Sequence, residues 1–568
     1  MNQHLERILQ KVQKPARYTG GEYNQVLKDK GGVDTRVAFC FPDTYEIGMS
    51  NLGLRIIYGV LNGMEGVWCE RVFAPWPDME EQMRVRGVNL YGLESGDPIR
   101  DFDVVAFSLA YELSYSNVLN MLDLAGIPLK ACDRPEGAPL VIAGGTCCFN
   151  PEPMADFIDL FVIGEGEEVI LELIGLFRKW KASGEGKQDF LVSAASIAGI
   201  YVPALYNICY SGDGAIAEIL PADGAPLPVH KRIVKDFASS YFPADTIVPS
   251  TEIVHDRVVL ELFRGCFRGC GFCQAGHVCG PVRSRPVETL IRQGIEAICN
   301  CGYDEIALSS LSSSDYKQLN ELCDGLLKWC EPKNISLSLP SLRVDNFSVE
   351  LMERIQKVRK SGLTFAPEAA SQRLRDVINK NVTEEDLFDT CRVAFEGGWN
   401  AVKLYFMLGL PTETDEDVLA IAELSRGVLG TWKKYAKNKN RGVRITVSTS
   451  CFIPKAHTPF QWEAQISMDE YRRRVELLRD ALRTKAITYN WHSPEQGYIE
   501  AALARGDRRM GGVIEAAWRL GARLDSWSEH FSLGRWLAAF EQSGLKPDFF
   551  ARRERGRAET LPWSVVKS

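Results

Sequence analysis

Between Arg36 and Trp180 the chain alternates short runs that are apolar throughout with stretches of helical periodicity. The runs are Arg36–Phe41, Asp103–Leu109, Pro139–Gly145 and Leu160–Gly164, with a weaker one at Glu70–Phe73. Strands without polar alternation are covered on both faces, so this part predicts a doubly wound, flavodoxin-like parallel sheet. From Lys181 to Ser250 the long periodicities fade into Gly, Ala, Asp and Pro, which reads as a connecting segment with short strands. At Val258 the alternation resumes: Val258–Phe263, Glu305–Ser309, Ile335–Leu339, Leu363–Pro367, Ala401–Met407 and Arg444–Ser450 are strand candidates. Helical stretches such as Pro286–Cys299 and Thr383–Phe395 lie between them, the second opened by a Thr383-x-x-Asp386 capping box. Six β-α repeats of this kind predict an open, partial (β/α)6 TIM-like barrel with active groups at the strand ends. From Arg483 onward only helical pattern and aromatics are expected. The α/β organisation is therefore an N-terminal helix in residues 1–30, a sheet domain in 31–180, a connector in 181–250, a barrel in 251–480 and a helical extension in 481–568.

Composition narrows the class. The chain has 568 residues, a formal charge of −8, 45% hydrophobic and 25% charged residues, the proportions of a folded globular protein. No apolar run approaches the roughly 18 residues of a membrane span. Leu5, Ile8, Leu9 and Val12 repeat as an amphipathic helix broken by Glu6, with no apolar h-region, so a cytoplasmic enzyme without membrane association is expected. Its 16 cysteines are then thiols. Most stand alone as small buried hydrophobes, and Cys147-Cys148 and Cys299-x-Cys301 are too close in sequence to aim both sulfurs at one metal.

One group differs. Arg264-Gly-Cys266-Phe-Arg-Gly-Cys270-Gly-Phe-Cys273 leaves the first barrel strand with spacing C-x3-C-x2-C. Three thiolates on one Gly-rich loop can anchor three irons of a [4Fe–4S] cube, leaving the fourth iron open to a substrate. The alternatives are Cys279 as fourth ligand, a zinc knuckle completed by His277 and Cys279, or three structural thiols. In the sheet, glycines and polar residues gather at strand ends: Asp43-Thr-Tyr45-Glu-Ile-Gly48, Ser108, Gly144-Gly145 and Gly164-Glu165-Gly166-Glu167. Ligands sit beyond the carboxyl ends of such strands, and this much bare backbone suits a large ligand pressed against the main chain.

The cysteine loop on its strand resembles the signature of radical S-adenosylmethionine (SAM) enzymes, over roughly residues 253–462. The resemblance implies that the open iron chelates the amino and carboxylate groups of SAM, and that one electron yields a 5′-deoxyadenosyl radical. It implies further that Phe272 meets the adenine, Ser309 and Ser310 stand where the methionine amino group binds, Glu368 and Ser371 hold the ribose, and Gly409 in Leu408-Gly-Leu-Pro411 forms the adenine-side turn. An ordinary strand-to-helix turn is the competing reading at each. The usual Gly-Gly-Glu is absent at Ser309-Ser310. Phe452–Phe460 resembles a segment of RNA-modifying and cobalamin-type members and equally suits a rigid lid.

A doubly wound domain ahead of such a barrel resembles the cobalamin-binding domain of the cobalamin-dependent branch, which implies Asp43, Tyr45, Gly48, Ser108, Gly144, Gly145, Gly164, Glu165 and Gly166 as cobalamin contacts. Tyr45 replaces the histidine of D-x-H-x-x-G, and a phenol is a poor neutral ligand, so any cobalamin would lack a histidine lower ligand. Ala501-x-x-Ala-Arg-Gly-Asp-Arg-Arg509 and Trp527-Ser-Glu-His530 look like an uncharacterised bacterial family with both domains. The expected activity is cobalamin-assisted methylation of an unknown substrate. The alternatives are rearrangement, ring contraction or sulfur insertion, and a non-catalytic iron–sulfur regulator. An electron donor such as flavodoxin or ferredoxin is implied. The overall negative charge opposes a broad phosphate-binding surface. Lys433-Lys-Tyr-Ala-Lys437-Asn-Lys439-Asn-Arg441 and Arg552, Arg553, Arg555 and Arg557 keep RNA or ribonucleoprotein open, beside the plain reading of solvated basic faces. His457, His492 and His530 read as structural or acid–base groups, and Trp491, Trp527 and Trp536 as packing the extension onto the barrel.

Overall fold

A computed structural model describes residues 3–339 and 363–568. The chain divides into two compact units: residues 1–256, 502–550 and 556–568, and residues 257–501 with 551–555.

In the first unit, β1 (Thr35–Phe41), β2 (Val67–Phe73), β3 (Val104–Ser108), β4 (Leu140–Gly144) and β5 (Leu160–Val162) form a parallel sheet, closed at one edge by antiparallel β6 (Ile200–Tyr201). The order is 2-1-3-4-5-6, the flavodoxin-like order, whose direction reverses between β1 and β3. Every residue of β2 and nearly all of β1 are buried, as expected for strands covered on both faces by α1 (Leu52–Asn62), α2 (Pro77–Arg86), α3 (Tyr115–Ala125) and α4 (Gly166–Ser183). Arg71, fully buried on β2, is held between Glu22 at 2.9 Å and Glu94 at 2.7 Å. Removing either carboxylate would leave a buried charge unpaired, at a cost of several kcal/mol. The connecting residues give β6 and a short hairpin, Tyr206–Tyr210 with Ile216–Pro221.

In the second unit all six anticipated strands are present: β7 (Val258–Glu261), β8 (Glu305–Ser309) and β9 (Ser336–Ser338) in one parallel sheet, β10 (Leu363–Glu368), β11 (Ala401–Leu408) and β12 (Arg444–Cys451) in another. The stretch after Arg483 is not strandless, as the sequence had suggested: β13 (Ile487–Trp491) adds to β12 in parallel, and Val566–Lys567 pairs with Val229–His230 in the first unit. β13 is only five residues long and alternates Ile487, Tyr489 and Trp491 with Thr488 and Asn490, so it escapes a search for uninterrupted apolar runs. Between the strands run α5 (Gln274–Val278), α6 (Val287–Cys301), α7 (Leu319–Cys330), α8 (Gln372–Val377), α9 (Glu384–Glu396), α10 (Asp415–Tyr435) and α11 (Met468–Ala481). The Thr383/Asp386 capping box opens α9, a contribution of about 1 kcal/mol.

The C-terminal α12 (Met510–Arg519) and α13 (Leu533–Gln542) belong to the first unit. Trp527 and Trp536 belong to that unit, where Trp527 meets the Trp76 ring edge-on at 5.3 Å, while Trp491 lies in β13 of the second.

Candidate functional site

The cysteine loop is pinched at its base by an antiparallel pair, Phe263–Arg264 with Arg283–Ser284. Gly265 takes φ +89°, and a Cβ there would stand 2.7 Å from the Pro281 carbonyl oxygen; only glycine fits. Asn379 donates its amide to the carbonyls of Arg268 (3.3 Å) and Gly269 (2.9 Å). The Gly271 N–H donates to the Ile378 carbonyl at 2.9 Å, and a Cβ on Gly271 would meet the Phe460 ring at 3.0 Å. Arg268 grips the nearly sealed carboxylate of Asp315, Nε to Oδ2 at 2.9 Å. Four separate elements thus hold a loop whose own sequence carries little to order it.

Cys266, Cys270 and Cys273 are all half-buried on this loop. Cys273 begins α5, and its sulfur accepts the Gly276 N–H at 3.3 Å. Burial pushes its thiol up, and the thiols of Cys270 and Cys266 push it further, while the Gly276 N–H acts the other way. That mutual influence places the three sulfurs in one neighbourhood. Such soft donors suit iron–sulfur or zinc. For zinc the surroundings fit poorly. His277 Nε2 lies 3.2 Å from the Cys270 carbonyl, and among the described residues no three His, Cys, Asp or Glu side chains converge as one ion requires. Three sulfurs on one loop can each take a separate corner of a [4Fe–4S] cube. Cys279 caps the far end of α5, its N–H donating to the Ala275 carbonyl.

The strand ends meet this loop through Phe272, which packs with Met407 and Phe460 against a buried cluster of Ala369, Leu374, Ile378, Leu410 and Phe452. These residues follow β10, β11 and β12, so one apolar seam joins the cysteine loop to three strand ends. Glu368 closes β10 after a break in register and takes φ +67°, a left-handed conformation that costs a non-glycine residue about 1–2 kcal/mol. Burial pushes its carboxyl up, and Lys380, 3.4 Å away, pulls it down. The Lys380 ammonium also lies 5.8 Å from the Phe272 ring centroid. Strain of this sort persists only where the surroundings enforce it, and it clusters at active sites and ligand clamps.

The remaining anticipated positions divide. Ser309 ends β8 and its carbonyl accepts the Leu262 N–H; the Ser310 hydroxyl lies 3.1 Å from that of Ser313 and accepts from the Ser312 N–H. The Ser371 side chain is engaged in capping α8, accepting from Leu374 N–H at 3.2 Å and donating to Asp417 at 2.5 Å. Gly409 takes φ +90° with Ile466 where a Cβ would go, and its N–H donates to Glu413 at 2.7 Å. Burial raises the Glu413 carboxyl to about 7, although Arg474 pairs with it. Phe452–Phe460 lies on the cysteine loop: its two end rings meet edge-on at 5.9 Å, and Gln274 donates to the Ala456 carbonyl at 3.4 Å. Lys380, Asn379 and Glu413 were not anticipated. Only the Asn379-Lys-Asn381 run hinted at them, because asparagine tolerates the left-handed turns found at both ends.

In the first unit, the residues after β1 are engaged within the fold. Tyr45 is 1% exposed, donates to Glu22 at 2.9 Å and meets Phe73 edge-on. Gly48 leaves room for the Phe73 ring, which a Cβ would strike at 2.3 Å. Asp43 accepts from the Trp527 indole N–H (2.9 Å) and the Ser526 hydroxyl (3.0 Å), while Asn117 joins the Pro42 carbonyl to the Leu524 N–H. The ends of β3 to β5 are more open. Ser108, Gly144 and Gly164-Glu165-Gly166 are half-buried, and Ala110, Gly145 and Thr146 are exposed. The positive φ values of Gly145 and Gly164 serve close approach to the chain's own Leu109 and Arg232 carbonyls, and Glu165 accepts from the Val234 N–H. The open strand ends of β3–β5 offer bare backbone and small polar side chains but no nitrogen base, and the Tyr45 hydroxyl is taken by Glu22.

Residues 53–203 match the family described as radical SAM proteins, N-terminal, and residues 260–425 match the radical SAM superfamily. The chain carries a radical SAM domain preceded by this N-terminal domain. An uncharacterised protein of Methanocaldococcus jannaschii is 27% identical over 90% of this chain and 97% of its own length. A putative methylthiotransferase of the same archaeon is 30% identical over 28% of this chain and 37% of its own length. Among solved structures, the radical SAM methyltransferase TsrM from Kitasatospora setae, with cobalamin and a [4Fe–4S] cluster bound, aligns with a TM-score of 0.49 and 14% identity over 75% of this chain and 74% of that one.

Proposed function

We propose that this chain cleaves SAM reductively at a [4Fe–4S] cluster held by Cys266, Cys270 and Cys273, and that the 5′-deoxyadenosyl radical takes a hydrogen atom from an unactivated carbon, leaving 5′-deoxyadenosine and a carbon radical that is then methylated. The observation that carries this reading is the apolar seam binding the three-thiol loop, through Phe272, to the strand ends where Glu368 is strained. The cluster, when bound, supplies the electron that breaks the sulfonium C–S bond. Glu368 offers a half-buried acceptor to the ribose hydroxyls, with Lys380 balancing its charge. Phe272 and the Gly409 turn flank the adenine, and Glu413 fixes that turn by accepting the Gly409 N–H. Ser310 is the nearest polar group for the methionine end. The apolar residues of the seam exclude water, which a carbon radical requires.

A corrinoid, when bound, supplies a methyl group to a carbon radical that a sulfonium cannot methylate by polar attack. Ser108, Gly144 and Gly145 would hold it, with Gly164, Glu165 and Gly166 beside them. Tyr45 is engaged with Glu22 and supplies no lower ligand. A low-potential donor such as flavodoxin or ferredoxin would reduce the cluster. The partial likeness to a putative methylthiotransferase supports a second reading, methylthio transfer.

The test is anaerobic reconstitution followed by reaction with dithionite and methyl-labelled SAM. Formation of 5′-deoxyadenosine is expected, and its absence overturns the enzyme reading in favour of a regulator. Label recovered with one added methyl supports methylation, and label with an added sulfur supports methylthio transfer.

A further inference from the structure

In a closed TIM barrel the inner positions are filled by branched apolar side chains. The inner face of β10–β13 is built otherwise. On β11, Val402, Leu404, Phe406 and Leu408 are buried, whereas Lys403 and Met407 are half-buried and Tyr405 is 38% exposed. On β12, Ile445, Val447 and Thr449 are buried and Thr446, Ser448 and Ser450 are not. Register places Lys403 beside Thr446, and Tyr405 beside Ser448 and, across it, Asn490, so these side chains share one face. The Lys403 ammonium lies over the Tyr405 ring at 4.5 Å. Among the described residues, Lys403 makes no ion pair and the side chains of Thr446, Ser448 and Asn490 make no hydrogen bond. Among the described residues these hydroxyls and the amide are therefore unengaged, beside a Tyr405 ring that is over a third exposed.

At the amino-terminal end of the same strands the charge reverses sign relative to the whole chain. Residues 424–462 contain no Asp or Glu. Lys433 and Lys434 end α10, Lys437 and Lys439 lie in the loop to β12, and Arg444 opens that strand; all five are exposed, and among the described residues none is ion-paired. Arg444 pairs in register with Ala401 on the inner face, so the basic rim runs directly into the polar row.

We infer that this rim and row bind single-stranded RNA, with phosphates on the lysines and an unpaired base against Tyr405. A cationic edge leading to an aromatic platform is the arrangement that holds single strands, and a base still stacked in a duplex could not reach Tyr405. The inference names the substrate class of the reaction proposed above and rests on that reading.

Binding is measured on the full, reconstituted chain without SAM, by fluorescence anisotropy of a labelled oligouridylate at increasing salt. Four lysine–phosphate contacts predict a log–log slope near −3, about a 50-fold loss of affinity between 50 and 200 mM salt. Substituting Lys433, Lys434, Lys437 and Lys439 by Gln together is expected to remove about three from the slope. Tyr405→Leu is expected to weaken binding about 10-fold with the slope unchanged. Iron retained per chain checks that each variant is folded. The inference is overturned if the quadruple variant keeps the slope, if duplex RNA binds as tightly as single strands, or if polyglutamate competes as well as RNA. Formation of 5′-deoxyadenosine without RNA binding would sink this inference alone, whereas RNA binding without 5′-deoxyadenosine would sink the enzyme reading alone.

Discussion

Glu368→Gly separates a residue kept for function from one kept for stability. Glycine accepts the φ of +67° found at this position, so the substitution releases about 1–2 kcal/mol of backbone strain. Against that stands the larger entropy glycine loses on folding, about 0.5–1 kcal/mol. The pair with Lys380 at 3.4 Å is long and contributes at most about 1 kcal/mol. The three effects nearly cancel, and the free energy of unfolding in urea should change by no more than about 1 kcal/mol in either direction. SAM binding should behave differently. A half-buried carboxylate accepting a ribose hydroxyl contributes about 1.5–3 kcal/mol, so the dissociation constant for SAM, measured by equilibrium dialysis on reconstituted protein, should rise about 10- to 100-fold. Glu368→Ala keeps the strain and loses the carboxylate, and should bind SAM as poorly while also being less stable than Glu368→Gly. If Glu368→Gly binds SAM and forms 5′-deoxyadenosine as the parent does, Glu368 is an accident of the strand end and the ribose assignment fails.

Further perturbations probe the rest of the site. Cys266→Ser, Cys270→Ser and Cys273→Ser should each lose most iron and sulfide on anaerobic reconstitution, whereas Cys279→Ser should retain both; iron loss from the last would make it a ligand. Gly271→Ala places a methyl 3.0 Å from the Phe460 ring, an overpacking cost of about 1–3 kcal/mol; iron content should fall and should recover in the Gly271→Ala, Phe460→Leu double variant, and failure to recover would mean the loop fails for another reason. Because burial raises Glu413 to about 7, the folded state holds this proton more tightly than the unfolded chain. The stability it contributes is therefore complete below about pH 4.5 and lost as pH rises through 7. Between pH 6 and 8 that loss is about 1.4 kcal/mol, and the free energy of denaturant unfolding of the parent should fall relative to Glu413→Gln by this amount; parallel pH profiles would refute it.

The sheet orders and the cysteine loop were legible because each is written in contiguous residues. Arg36–Phe41 has no polar alternation, so a strand covered on both faces follows directly. The C-x3-C-x2-C loop needs no partner to be recognised. What holds that loop was not legible. Asn379, Asp315 and Phe460 reach it from far along the chain, and no local pattern marks a side chain that will bond a carbonyl 110 residues away. The missed β13 shows the same limit from the other side. Its Ile-Thr-Tyr-Asn-Trp alternation is weak alone and becomes a strand because β12 offers a free edge.

The strand-end glycines carry the more general lesson. Bare backbone after β4 and β5 suggested room for a ligand, and the φ of +113° at Gly145 is real. Yet the neighbour that forbids a side chain there is the Leu109 carbonyl, and at Gly164 it is the Arg232 backbone. A glycine reports that something comes close, not what comes close. The informative contrast lies between positions. After β1, the backbone and side chains are consumed by Glu22, Phe73, Ser526 and Trp527, whereas after β3 and β4, Ala110, Gly145 and Thr146 remain exposed. A ligand of this sheet is therefore expected at β3–β5, and Trp527→Phe, which deletes one bond to Asp43 without opening that end, should leave corrinoid binding unchanged when bound cobalt is counted after gel filtration. Loss of cobalt in that variant would put the ligand on the β1 side after all.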